Sequence, residues 1–161
     1  MAGNTALIEI DFQHWIVALA HDRAVVDRAA SVRDRLHTRG ASVVCTRYLS
    51  RDRTDPMRSD PSGHGAAFHP ALAPGEGDLV LTKYDRDVFT NLDLHAHLRG
   101  RGITEVVITG IATEYGVELA ARSAHRLGYR VSVVAAACAG TSIEAHRRAL
   151  DELAVDGITV I

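Results

Sequence analysis

The stretch Val106-Val107-Ile108-Thr109-Gly110-Ile111-Ala112-Thr113-Glu114-Tyr115-Gly116-Val117 leaves this chain few architectures to choose from. Its first four residues are all β-branched, which suits a strand buried on both faces, and the run stops at a glycine. From Val117 the period changes: Val117, Ala120, Ala121, Ala124 and Leu127 recur at steps of three and four and lay one apolar stripe along a helix. A tight strand-to-helix turn must join the two. Backbone N–H groups at a helix N-terminus lack intrahelical partners and favour a developing negative charge. In open α/β sheets ligands bind at the carboxyl edge, where such turns lie.

The rest of the chain repeats the alternation. Strands are expected at 6–10, 42–46, 79–82, 130–135 and 158–160, and helices at 24–36, 92–98 and up to 153, the last opened by the capping-box pattern Thr141-Ser142-Ile143-Glu144 with Thr141 as the cap. Repeated βα units predict a three-layer α/β fold: a mainly parallel six-stranded sheet with helices on both faces. A length of 161 residues with 47% hydrophobic residues suits one domain over 1–161. Residues 51–77 contain all four prolines and no clear period, and a loop of that length is expected to serve as a lid or a partner contact.

Acids and bases are interleaved at a net charge of −2, so no basic face offers itself to nucleic acid, and no apolar run approaches membrane-spanning length. Met1-Ala2-Gly3-Asn4-Thr5 shows no export signal, which gives a cytoplasmic expectation. Cys45 and Cys138 lie in or beside apolar runs and read as buried, reduced thiols rather than as a disulfide framework.

Chemistry-bearing residues stand at the strand ends. The first strand runs into Asp11, the third into Lys83, and the central one into the turn that ends at Gly116. A carboxylate at a strand end beside an ammonium can hold or shuttle a proton, because desolvation and the paired charge push its pKa in opposite directions. By chemistry alone an Asp after a strand is usually a cap or a turn residue, and most lysines are solvated.

Three segments together resemble the isochorismatase-like hydrolases: Ile10-Asp11-Phe12-Gln13; Gly77-Asp78-Leu79-Val80-Leu81-Thr82-Lys83-Tyr84 with Asp87-Val88-Phe89; and Thr109-Gly110-Ile111-Ala112-Thr113-Glu114-Tyr115-Gly116-Val117 with Ala121-Arg122-Ser123-Ala124. The resemblance spans nearly the whole chain and implies a Rossmann-like sheet, a small-molecule substrate, and a homo-oligomer, dimer or tetramer. It assigns catalytic roles to Asp11 and Lys83, places Gly116 in the slot of the amidases' nucleophilic cysteine, and implies a cis peptide between Ile111 and Ala112. The expected substrate contacts are Gln13, Trp15, Phe68, Ile111, Ala112 and Tyr115, with Phe12, His14, Tyr84 and Phe89 as further aromatic or imidazole wall candidates.

Glycine at 116 removes covalent acyl chemistry from that position. Isochorismatases also carry glycine there and cleave a vinyl ether without a protein nucleophile, yet their Tyr-Ala-His and Trp-Arg-Tyr runs are replaced here by Ala112-Thr113-Glu114 and Tyr84-Asp85-Arg86. The neighbourhood Gly-Ile-Ala-Thr-Glu-Tyr looks instead like a nicotinamidase without its cysteine, and Ala136 replaces an aspartate often found after the fifth strand. Three origins of Gly116 stay open: a cysteine-free hydrolase working through Asp11 and Lys83, a non-catalytic small-molecule binder, and an amidase whose cysteine has been replaced. Nicotinamidases hold a metal with an Asp-x-His pair after the second strand, where this chain reads Tyr48-Leu49-Ser50. His64 and His69 with Asp60 form the alternative ligand set, solvated loop histidines being the plainer reading, and no metal or cofactor is expected.

Overall fold

The computed structural model describes residues 2–161. Strand β1 (Thr5–Ile10) is buried along its whole length, as a run flanked by strands on both edges must be. The short α1 (His14–Val17) and the longer α2 (Val25–Thr38) follow, then β2 (Ser42–Tyr48), the short α3 (Pro56–Ser59), β3 (Leu79–Lys83) and α4 (Leu92–Gly100). The chain continues through β4 (Glu105–Ile111), α5 (Glu118–Arg126), β5 (Arg130–Ala139), α6 (Ile143–Val155) and β6 (Thr159–Val160). The strand order is β3-β2-β1-β4-β5-β6 and every ladder is parallel, so the expected sheet forms without an antiparallel strand.

Strand order reverses between β1 and β4, and such a switch point opens a crevice at the carboxyl edge. Register brings the elements there together: Ile10 lies beside Thr46 on one side and Gly110 on the other, and Tyr48 lies beside Lys83. Gly110 has φ +143°, and a Cβ on it would meet the backbone N of Ile10 at 2.7 Å, so only glycine allows β4 to pass this close to β1.

Alternation along β1 divides the core. Ala6, Ile8 and Ile10 pack with Leu94 and Leu98 of α4, Ala120 and Ala124 of α5, and Leu153 of α6. Leu7 faces the other way, toward Val25, Val26, Ala29 and Val32 of α2. Among the described residues no helix is long and apolar enough to cross a membrane. Cys45 and Cys138 are free and buried.

Some elements depart from expectation. β5 runs past 135 to Ala139 because its register to β4 shifts between Ile108 and Gly110, which lets the strand continue beyond an irregular stretch and takes in Cys138. The cap of α6 is Ser142, whose hydroxyl accepts from Ala145 N at 3.1 Å. Thr141 is engaged elsewhere, its hydroxyl and backbone N donating to Glu114 Oε1 at 2.6 and 2.8 Å.

The segment 51–77 folds back over α1. The Gln13 side chain, fully buried, donates to Tyr48 O at 3.0 Å and Ala66 O at 3.1 Å and accepts from Tyr48 N at 2.7 Å, while its backbone bridges to Phe68. The far end is clamped by Arg33 of α2, which donates to Leu72 O at 2.9 Å and Ala73 O at 2.7 Å and pairs with the buried Glu9 of β1.

Candidate active site

Asp11 leaves β1 with φ +58°, a left-handed conformation that aspartate tolerates better than most residues and that marks strain kept where a site needs it. Its Oδ2 lies 3.0 Å from Lys83 Nζ at the end of β3, and its Oδ1 accepts the Thr46 hydroxyl at 2.7 Å. Both members of the pair are about 4% exposed. Burial pushes the Asp11 carboxyl above its ordinary range, against the opposing pull of the Lys83 ammonium and then the Thr46 hydroxyl. Lys83 Nζ also donates to Arg86 O at 2.7 Å, which fixes the head group from a second side.

The strand-to-helix junction takes a π-helical form over Thr113–Val117, and the peptide bond between Ile111 and Ala112 is cis. Gly116 is buried beside the pair. A Cβ built on it would stand 3.2 Å from Lys83 Nζ and 2.9 Å from Ile10 Cγ2, so a side chain here requires those two groups to shift by a few tenths of an ångström.

These groups open into a cavity of about 240 Å³ that Asp11, Lys83, Trp15, Ile111, Ala112, Tyr115 and Gly116 all line. Gln13 and Phe68 do not line it. Gln13 spends its amide bracing Tyr48 and Ala66, and Phe68 adjoins it through backbone pairing. Of the other wall candidates Phe12 and Phe89 lie in the core, and neither they nor His14 and Tyr84 face the cavity.

The cavity also holds residues that sequence reasoning missed. Arg58 of α3 lies over the Trp15 ring at 5.2 Å, and Arg86 over the Tyr115 ring at 4.4 Å, so two guanidiniums ride on the aromatic walls. Three cationic side chains therefore line the cavity against one carboxylate, in a chain of net charge −2. Thr46 could have been anticipated from its place one strand over from Ile10. Nothing local signals Arg58.

The alternative metal ligands do not converge. His64 stacks on His14 with ring centroids 4.1 Å apart, His69 lies 5.7 Å from His14, and Asp60 caps its own turn by accepting from Ser62 N at 2.9 Å. Burial, then His64 and His69, push His14 below its usual value. Among the described residues no group of three His, Cys, Asp or Glu side chains is placed to hold a metal ion.

The parallel α/β sheet thus carries a buried acid–ammonium pair at its carboxyl edge, an arrangement able to hold a proton. The sequence profile of the isochorismatase domain matches residues 5–161, and the chain belongs to this family of hydrolases. It is similar to the uncharacterized isochorismatase family protein YwoC of Bacillus subtilis, at 32% identity over 91% of this chain and 84% of that protein. Streptothricin hydrolase of Streptomyces noursei is 32% identical over 78% of this chain and 46% of its own length. The pyrazinamidase of Pyrococcus horikoshii, solved in complex with zinc, superposes with a TM-score of 0.86 at 25% identity, covering 98% of each chain. At the end of β2 this chain places Tyr48, followed by Leu49 and Ser50.

Proposed function

We propose that this protein hydrolyses a small carboxylated substrate by acid–base chemistry at Asp11 and Lys83, with no covalent enzyme intermediate. The observation that carries this reading is the floor of the cavity: a buried carboxyl with an elevated proton affinity sits against Lys83, and the adjoining position, Gly116, has no side chain to attack a carbonyl. The cationic surplus of the lining, with two guanidiniums exposed to the cavity, favours an anionic ligand.

Vinyl-ether hydrolysis, as in isochorismatases, suits these groups. The protonated Asp11 carboxyl gives its proton to the terminal vinyl carbon, and the C=C electron pair forms the new C–H bond. Water adds to the resulting oxocarbenium carbon and returns a proton to the Asp11 carboxylate. The hemiketal then breaks its C–O bond to give a ketone and an alcohol, its hydroxyl proton passing to the leaving oxygen. Lys83 holds Asp11 in place and balances the carboxylate after the first transfer. The test is incubation with isochorismate, with chromatography for the ketoacid product. Turnover that disappears in Asp11→Asn supports the reading; turnover unaffected by that change refutes it.

A second reading rests on the Gly110-to-Tyr115 sequence and on the likeness to a pyrazinamidase: an amidase framework with its cysteine replaced. Gly116→Cys tests it on nicotinamide and on ureido acids, and no gain of ammonia release counts against it. A third outcome, a ligand that raises the Tm and is recovered intact after long incubation, makes the protein a binder.

A further inference from the structure

Beside the turn lies a cluster that the chemistry above does not use. Thr113 Oγ1 and His146 Nδ1 are 2.7 Å apart, with Thr113 fully buried and His146 9% exposed on α6. The His21 ring lies 5.1 Å from that of His146, and His21 Nδ1 accepts from Gly140 N at 3.0 Å. Neither His146 nor Thr113 lines the cavity, yet Ala112, Tyr115 and Gly116, on either side of Thr113, all do.

We infer that His146 is a positioning residue for the turn 112–116, its neutral ring accepting the Thr113 hydroxyl at Nδ1 and the sense of that bond reversing when the ring is protonated. An imidazolium carries a proton on both nitrogens, so Nδ1–H then donates to Thr113 Oγ1 and the hydroxyl must rotate to accept it. The surroundings hold the ring neutral. Burial and the nearby His21, Arg147 and Arg28 push its pKa below the ordinary 6.5, with Glu114 alone pulling upward. The second brace on the turn, from Glu114 to Thr141, also leads to the start of α6, so this helix sets the height of the cavity floor through two side chains. This role is independent of which reaction the pocket carries.

The test is nitrogen–proton NMR of the full chain, titrated from about pH 8 to about pH 5, the range in which histidines change charge. In the wild type the amides of Thr113, Glu114, Tyr115 and Gly116 are expected to shift with the midpoint of the His146 ring. His146→Asn, whose amide stands where Nδ1 stood, is expected to keep their positions and lose the midpoint. His146→Leu is expected to displace them at every pH, with the Leu98 and Val133 amides unmoved. Thr113→Val reads the same bond from the other side and should leave His146 titrating while the turn stays flat. Turn amides that ignore the His146 midpoint, or that stay at wild-type positions in His146→Leu, overturn the assignment.

Discussion

Replacing Arg33 by Met isolates the clamp that holds the end of the 51–77 segment. Arg33 Nε donates to Glu9 Oε2 at 2.9 Å, and its Nη atoms reach Glu9 Oε1, Leu72 O and Ala73 O, while Glu9 is 2% exposed within an otherwise apolar strand. Met keeps the volume and removes every one of these bonds. Stranding one member of a buried pair costs about 3–5 kcal/mol, which for a domain of this size lowers Tm by about 6–20 °C.

The loss depends on pH in a defined direction. Burial already raises the Glu9 carboxyl above 4.5, and Arg33 opposes that shift both by hydrogen bonding and by its charge. Without Arg33 the folded-state value rises further, so folded Arg33→Met binds a proton more tightly than its unfolded chain does. That contribution is present in acid and is lost as pH climbs through the folded value. The variant is therefore expected to approach wild type near pH 5 and to fall furthest behind near pH 8. Removing both charges in Glu9→Leu/Arg33→Met should recover most of the deficit, leaving about 1–2 kcal/mol for the two loop carbonyls that lose a donor. Urea unfolding followed by the fluorescence of the single tryptophan, Trp15, measures all three proteins. A deficit below about 1 kcal/mol, against the value expected for a stranded buried charge, or one that is flat with pH, refutes the reasoning.

Asp11→Asn should lower turnover of the vinyl-ether substrate by about 10²–10⁴-fold, the usual range for a general acid, read in single-turnover assays. In the wild type, kcat/KM should fall as pH rises through the elevated Asp11 value, because only the protonated carboxyl can donate; a rate that climbs with pH contradicts this. Arg86→Met and Arg58→Met should each raise KM for a carboxylated substrate by about tenfold with little change in kcat, the pattern of lost ground-state binding. Both thiols should resist alkylation until the protein is unfolded, since burial pushes Cys138 up to about 12 and Cys45 higher still; a folded protein that reacts at pH 8 sinks this.

Much of this molecule was legible in its residues because parallel sheets write themselves as apolar runs separated by helical periods. Asp11, Lys83 and the turn could be placed together from the rule that strand ends share an edge. What escaped was non-local. Thr141 fits the capping pattern, but Glu114, on another element, claims its hydroxyl and moves the cap to Ser142. Gln13 follows Asp11 and reads as a substrate contact, yet its amide is consumed by Tyr48 and Ala66. Glu9 did leave a trace, as the one charge in an apolar strand, but its partner sits on a helix whose Arg33 looks like any other surface arginine in the sequence. Arg58 reaches the cavity only because the loop folds back, and no local pattern encodes that return.

The left-handed backbone at Asp11 bears on how the protein should be mutated at all. Alanine there would carry about 1–2 kcal/mol of handedness penalty that asparagine largely avoids, so a routine alanine scan would score the position as a scaffold defect. Libraries built on isosteric amide swaps would separate the loss of a proton from the loss of a fold.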